Sequence, residues 1–332
     1  VASGLGIEGV SVGHCSDYEG LTGCTAVLAP EGVTASVDIR GGAPGTLETA
    51  LLSPYASVGE LHGVLLTGGS APGLGAAVGL TTFLREQGRG YRTMYARIPL
   101  VTAAVIYDLG LGDAAACPGP EDAYAAAAAA WDGGSSPPAE GSVGVGTGAT
   151  VGKILGIADA MKGGVGWATI EVGAGITVTA LTVVNALGDV LAEDGTVLAG
   201  ARRDGAFVNS RRLLLSLPSP PVFNAVEATT LGLVITDARL DKLQCAIVAR
   251  MSHDGFARAI DPVHTPVDGD CVFVLATGRV AGNVFQVGVG AAEAVAVSVR
   301  RAVRLARGLG GVPGLADAEA EAPAGPLSQA GR

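Results

Sequence analysis

Aromatic residues are scarce in this chain, only 4% of 332 residues, with two Trp, six Tyr and six Phe. A core of stacked rings is thereby excluded. The 48% that is hydrophobic must pack as aliphatic side chains, drawn together by close backbone approaches at some of the 52 glycines. Five cysteines (Cys15, Cys24, Cys117, Cys245, Cys271) are odd in number and irregular in spacing. They fit neither a disulfide framework nor a zinc site and read as reduced, small hydrophobes in a cytoplasmic protein. Excess positive charge is lacking as well: a net charge of −10 argues against nucleic acid or an anionic membrane as the partner. No apolar run reaches the length of a membrane span. No charged-then-apolar leader opens the chain at Val1, and the missing initiator Met leaves room for one already trimmed.

What is present is enough chain for one large domain or two. Strand-like apolar runs fall at 33–39, 63–66, 103–107, 168–172, 177–184, 231–235 and 271–276. Helical period marks the segment carrying Leu240, Leu243, Ile247 and Met251, and again 291–307, whose Arg301, Arg304, Arg307 and Gly308 make a favourable helix end. The stretches 121–131 and 74–86 read as two more helices. The run Gly173-Ala174-Gly175 between two strands predicts a hairpin, hence antiparallel pairing rather than strict βαβ alternation. Loops are expected at 133–140 and, with three prolines, at 216–224. From 309 onward Ala, Glu, Gly and Pro dominate, and the expectation is a disordered tail over 309–332.

Several glycine patterns imitate nucleotide sites and fail on inspection. Gly4-Leu5-Gly6-Ile7-Glu8-Gly9 has no room for a preceding strand, and Gly73-Leu74-Gly75 finds its third glycine, Gly79, one residue late. The stretch ending Gly152-Lys153 lacks the first glycine of a P-loop and the hydroxyl residue after the lysine. Gly68-Gly69-Ser70-Ala71 fails as a nucleophile elbow because Pro72 stands where glycine is needed. His14, His62 and His253 have no evident catalytic partner in the sequence. The acid-rich loop around His264 lacks the alternating ligands of a calcium loop. Neither a metal nor a cofactor is expected.

Two features do point to chemistry. Glu227-Ala228-Thr229-Thr230 opens directly into an apolar strand. A Thr at a strand start is ordinarily just a β-branched residue in a sheet. If the bond before it is cut, Thr229 carries both a hydroxyl nucleophile and a free α-amine to activate it. Lysine is the second feature. Lys153, Lys162 and Lys242 stand against eighteen arginines, so Lys153 in a Gly-rich, apolar stretch reads as an ion-pair partner or a catalytic cation with a tunable pKa. Asp268 and Asp270, flanking Gly269 before a buried strand, form either a plain turn or a holder for a charged nucleophile.

Taken together, these pieces resemble the self-processing N-terminal-nucleophile hydrolases that include L-aminopeptidase/D-esterases, β-peptidyl aminopeptidases and nylon-oligomer hydrolases. The resemblance spans residues 6–308. It rests on Val37-Asp38-Ile39-Arg40-Gly41-Gly42-Ala43-Pro44-Gly45-Thr46, Leu66-Thr67-Gly68-Gly69-Ser70-Ala71 and Ala104-Val105-Ile106-Tyr107-Asp108. It continues through Gly146-Thr147-Gly148-Ala149-Thr150-Val151-Gly152-Lys153, Met161-Lys162-Gly163-Gly164, Val184-Asn185-Ala186, Thr229-Thr230-Leu231-Gly232 and Val263-His264-Thr265-Pro266-Val267-Asp268-Gly269-Asp270.

The resemblance implies an α/β, four-layer αββα sandwich of the Ntn-hydrolase-like type, one domain over 1–308. It implies self-cleavage between Ala228 and Thr229 into fragments 1–228 and 229–332. Thr229 would then attack a substrate amide carbonyl, with its new amine as base. Asn185 would donate to the oxyanion and Lys153 would stand near the nucleophile. Asp268 and Asp270 would orient the amino terminus and Lys153, and Tyr107 would serve the oxyanion or the substrate. The partner implied is a small peptide or amide, and the assembly a homotetramer. Two departures bear on this: Ala228 stands where relatives often have Asn or Gly, and Pro72 replaces an aromatic in what the resemblance suggests is pocket wall. Three other readings compete: an ω-amino oligoamide amidase, an acyltransferase on the same fold, and an unprocessed, inactive relative acting as a binding subunit.

Overall fold

The computed structural model describes residues 5–133, 137–173, 175–217 and 227–317. Eight strands and four helices build the frame. In chain order they are β1 (Ser11–Asp17), β2 (Thr22–Ile39), β3 (Leu61–Thr67), α1 (Ala77–Glu86), β4 (Val101–Val105), α2 (Pro120–Asp132), β5 (Gly164–Val172), β6 (Ile176–Asn185), β7 (Thr229–Arg239), α3 (Lys242–Ala259), β8 (Cys271–Ala281) and α4 (Val284–Arg304). Each of the seven apolar runs read from the sequence falls in one of these strands or at its end. The 173–175 turn joins β5 to β6 with Val172 opposite Ile176, the antiparallel hairpin that was expected; Ala174 itself lies outside the described residues.

Pairing runs β5-β6-β7-β8-β2-β3-β4, with β1 added on β2 and the short strand Thr46–Leu47 on β4. At 18 residues β2 is long enough to serve two sheets. Its second half pairs with β8 and its first half with β1 and β3, and the register between β2 and β3 breaks between Leu28 and Val33. The chain therefore bends from one sheet into the other along a single strand.

Alternation along the strands then sets four layers. Leu231, Leu233 and Ile235 of β7 point with Cys271, Phe273 and Leu275 of β8 into a central core, where they meet Val27, Val64 and Leu66 of the other sheet. The opposite face of the same strands, Val234 of β7 with Val272 and Val274 of β8, packs on Val248 and Phe256 of α3 and on Val295 and Val299 of α4. On the far side, Ala26, Leu28 and Leu65 pack on Leu80 and Leu84 of α1 and on Ala123 and Ala127 of α2. The αββα sandwich expected from the sequence is the one observed.

The tail departs from expectation. Residues 309–317 are held in place: Val312 is buried with Leu21 and Leu111, Pro313 accepts the N–H of Lys162, and the Asp317 carboxylate accepts from Gly308 and Gly314. Composition misled here because two apolar residues, Leu309 and Val312, suffice to anchor a short Gly-rich turn. Residues 318–332, the 134–136 part of the first expected loop and the 218–226 part of the second lie outside the described residues. Among the described residues no helix is long and apolar enough to cross a membrane.

Candidate active site

Thr229 is the first residue of β7 and Asn185 the last of β6, and register places them directly opposite each other. Thr229 shares a strand face with Leu231, and Asn185 shares one with Val183 and Leu181, so both project into the gap between the two sheets at its edge. Just before Thr229, Ala228 bridges to Asp268, and its carbonyl oxygen receives two hydrogen bonds: the Gly269 N–H at 2.8 Å and the Thr229 hydroxyl at 2.6 Å. The hydroxyl oxygen thus lies beside the carbonyl group of the peptide bond that precedes it. Glycine is required at 269 for space. A Cβ there would stand 2.8 Å from Thr229 Oγ1 and 2.9 Å from the Ala43 carbonyl.

Lys153 reaches the same point from a short helical turn. Gly152, at φ 71°, abuts the backbone of Gly200 and Ala201 too closely for any side chain, and it delivers Lys153 inward. Lys153 Nζ donates to the Asn185 carbonyl at 2.8 Å and to Asn185 Oδ1 at 2.9 Å. Oδ1 also accepts the Thr150 N–H, while Asn185 Nδ2 donates to the Tyr107 carbonyl at 2.8 Å. Asn185 is therefore held from three sides, and Tyr107 contributes its backbone to that hold, a role its side-chain identity does not announce. Burial lowers the Lys153 pKa from 10.5 to about 7, against the attraction of Asp268, Asp108 and Asp270.

The two acids flanking Gly269 divide their work. Asp270 Oδ1 accepts the Thr230 N–H at 2.6 Å, and its Oδ2 accepts the His264 N–H and faces His264 Nδ1 at 2.8 Å. The Asp268 carboxylate is held by the N–H and the hydroxyl of Thr265. Burial, and next the charge of Asp270, raise the Asp268 pKa to about 6. Backbone also ties this loop down, since Arg40 and Gly41 donate to the Asp270 carbonyl and Ala43 to that of Asp268.

Three residues with a part in this arrangement were not singled out from the sequence as site residues. Gly269 is one. Asp108 is another: it is buried, accepts the Thr22 hydroxyl at 2.7 Å and the Gly69 N–H at 2.8 Å, and burial raises its pKa. A Cβ on Gly68 or Gly148 would collide with its carboxylate, which explains glycine at both. His253 is the third, buried and 3.2 Å from His264. Spacing gave no signal for any of them, since their partners lie on other elements.

An open cleft of about 290 Å³ borders Thr229, lined also by Pro44, Ser70, Val105, Tyr107 and Ala228 among others. A smaller cavity of about 110 Å³ adjoins it over Tyr107, Asp108, Lys153, Ile157 and Glu227. Ser70 and Ala71 line the cleft and Pro72 does not, so the wall position suspected at Pro72 belongs to the two residues before it.

A second lysine is buried beside the site. Lys162 Nζ donates to the carbonyls of Thr147 and Ala149, both at 2.7 Å, and burial lowers its pKa from 10.5 to about 7. Between those values an unfolded chain holds a proton that the folded chain does not, so stability rises as pH rises from 7. The raised pKa values of the buried thiols Cys24, Cys245 and Cys271 work in the opposite direction at higher pH. Between pH 7 and 8.5, Lys162→Met is expected to flatten the rise. The urea-unfolding free energy measured at several pH values for both proteins checks this; equal slopes would contradict it.

Residues 5–315 match peptidase family S58. An uncharacterized aminopeptidase of Mycobacterium leprae is 38% identical, over 92% of this chain and 91% of its own length. A 6-aminohexanoate-oligomer endohydrolase of Agromyces sp. is 32% identical, over 82% of this chain and 74% of its own. Among solved structures, a Burkholderia sp. beta-aminopeptidase superposes with a TM-score of 0.69 at 24% identity, covering 95% of this chain and 91% of that one. The L-aminopeptidase D-Ala-esterase/amidase of Ochrobactrum anthropi, described as a variant of the Ntn-hydrolase fold, gives 0.68 at 21% identity, covering 94% and 89%.

Proposed function

This chain belongs to peptidase family S58 and is an amide- or peptide-bond hydrolase of the N-terminal-nucleophile type, and from that we propose that it makes its own nucleophile by cutting the Ala228–Thr229 bond. The observation that carries the reading is the doubly held Ala228 carbonyl, with the Thr229 hydroxyl at 2.6 Å and the Gly269 N–H at 2.8 Å. Attack by Oγ1 on the Ala228 carbonyl carbon forms an ester and breaks the C–N bond, and the Thr229 nitrogen takes up the proton. The Gly269 N–H supports the negative charge that grows on the carbonyl oxygen. Water then hydrolyses the ester, leaving a carboxylate on Ala228 and a free hydroxyl and amine on Thr229.

The mature cycle repeats this chemistry on a substrate. Thr229 attacks an amide carbonyl in the cleft, and its α-amine, with a pKa of roughly 7.7–8, takes the hydroxyl proton and returns it to the leaving amine. The second N–H of Asn185 Nδ2 donates to the oxyanion, a contribution of about 3–4 kcal/mol in comparable sites. Where Lys153 still holds its proton, toward and below pH 7, its charge disfavours a second charge on the Thr229 amine. Asp268 and Asp270 hold the loop that aligns the new amino terminus, and Tyr107 borders the substrate. Fragment 229–332 contributes β7 and β8, which insert between β6 and β2 of fragment 1–228, so the two fragments stay joined as one fold. A cytoplasmic homotetramer completes the reading.

The substrate favoured is a small peptide or aminoacyl amide. The 6-aminohexanoate-oligomer endohydrolases, at 32% identity, support an oligoamide as a second reading. Amino-terminal sequencing and intact mass of the purified protein test the first step: two fragments are expected, the smaller beginning Thr-Thr-Leu-Gly. An amino-acid p-nitroanilide assayed beside an aminohexanoate oligomer separates the two substrates. A single stable chain without turnover of either would overturn the proposal in favour of an inactive binding subunit. Turnover that depends on an added amine acceptor would favour an acyltransferase.

A further inference from the structure

Two histidines that the hydrolysis above does not use lie behind Asp270. His264 Nδ1 is 2.8 Å from Asp270 Oδ2, and His264 Nε2 is 3.2 Å from His253 Nδ1. His253 Nε2 in turn is 3.1 Å from the Asp38 carbonyl oxygen and 3.5 Å from the Asp38 carboxylate. The His253 side chain is fully buried, that of His264 is 18% exposed, and that of Asp270 is fully buried. Through the Thr230 N–H on Asp270, this line connects the start of β7 to the end of β2.

Counting hydrogens along the line decides its charge. A carbonyl cannot donate, so His253 Nε2 must carry a hydrogen toward Asp38. At the other end Asp270 already accepts the N–H groups of Thr230 and His264, so it faces His264 Nδ1 as an acceptor too. Three contacts in a row need three hydrogens, whereas two neutral imidazoles supply two. One more proton must therefore sit on the line. It does not belong to His253, whose pKa burial lowers to about 4. That leaves it on His264, donating to Asp270 on one side and to His253 on the other.

We propose that His264 and His253 are positioning residues for the reaction at Thr229: they hold one extra proton between Asp270 and Asp38, so that Asp270 enters the site as half of an ion pair. The proposal rests on the reading of Thr229 given above. Several charged groups face the pair. Asp270 and Asp268 from the loop before β8, and Asp38 from β2, favour the extra proton. Lys153, whose attraction to Asp270 is felt across the site, opposes it, as does Arg40, which bonds Asp38 at 2.8 Å and the Arg250 carbonyl at 2.9 Å. From α3 the Phe256 ring packs against both imidazoles, at 5.7 and 6.2 Å between ring centres, and keeps water off one side. Removing the proton at high pH leaves one contact with two lone pairs facing each other. The line then opens, and the support of Asp270 beneath the start of β7 goes with it.

Only four histidines occur in the chain, so ring ¹⁵N spectra of the ¹⁵N-histidine-labelled full-length protein can resolve the pair. At pH 7.5 the expected result is an imidazolium for His264 and a neutral ring protonated on Nε2 for His253. Two variants then test the role. His253→Leu removes both contacts and is expected to lower kcat on an amino-acid p-nitroanilide about tenfold, with KM unchanged and the alkaline limb of the pH profile moved to lower pH. His253→Gln can accept from His264 through Oε1 and donate to Asp38 through its amide N–H, and is expected to restore the imidazolium and most of kcat. Two neutral rings in the unaltered protein would overturn the proposal, as would a folded His253→Gln protein no better than His253→Leu. The spectra read the line whether or not the chain is cut. Neutral rings in a cut, active enzyme reject the proton line alone, and an imidazolium in an uncut, inactive chain rejects the Thr229 reading alone.

Discussion

Thr229→Ala is expected to leave the chain whole and without amidase activity, a loss of at least ~10⁴-fold in kcat/KM, while the fold persists. The substitution removes the nucleophilic oxygen that the proposed cut and the proposed catalytic cycle both require. It removes little else. The Ala228 carbonyl keeps the Gly269 N–H when the Thr229 hydroxyl is gone, and a lost neutral hydrogen bond of this kind costs about 1 kcal/mol. Thr229 is also only 5% exposed, and the smaller side chain leaves a gap of one hydroxyl and one methyl beside the cleft. Intact mass, an activity assay and a thermal melt together check the expectation. Thr229→Ser, which keeps the hydroxyl, is expected to retain cleavage. A Thr229→Ala protein that is still cut at 228–229, or still turns over amide, would contradict the assignment.

Lys153→Met separates chemistry from stability. Its expected effect is a fall in kcat/KM of about 10²–10³-fold, the range for loss of one strong electrostatic contribution in a closed site, with an unfolding temperature equal to or above that of the parent. Methionine has nearly the same length and shape but carries no charge to desolvate. Burying an ammonium is costly enough to lower its pKa to about 7, and replacing such a group by an apolar one of similar volume is commonly neutral or stabilising. Against this stand the two bonds from Nζ, one to the Asn185 backbone carbonyl and one to Oδ1; without the second, Thr150 and Tyr107 alone hold the carboxamide and it is freer to shift. That shift is the reason activity falls: Asn185 faces Thr229 across the sheet, and its orientation sets where its N–H groups point. Arginine is not expected to rescue, being too large for the space and unable to release its proton. Kinetics beside a melting curve checks the pair of outcomes. A melting temperature that falls in step with activity would mean that Lys153 is a structural residue.

Much of this protein was legible in order along the chain. The seven apolar runs became strands because aliphatic, β-branched stretches bounded by glycine have few other ways to bury both faces. Helix α4 begins at Val284 rather than at 291; its first turns were hidden by Gly288 and Gly290, which weaken a helix by propensity but here let Met251 and Val172 approach closely. The short turn at 309–317 was unreadable for a related reason: its anchors are contacts with residues near 21, 111 and 162. Thr229 stood out because a strand start preceded by a small residue is a local pattern. Lys153 stood out because it is one of only three lysines in an apolar setting.

The sequence by itself determined the apolar strand runs, the hairpin between β5 and β6, and which residue could become a nucleophile, since each follows from periodicity or from neighbours within a few positions; the four layers were implied only by the family resemblance. Only the tertiary structure decided that Asn185 lies opposite Thr229, that the Gly269 N–H joins the Thr229 hydroxyl on the Ala228 carbonyl, and that His253 and His264 complete a line from Asp270 to Asp38. The reason is physical: strand register and the bend of β2 bring together groups far apart in the chain, and backbone N–H groups, which every residue but proline owns, leave no mark in the sequence of where they point.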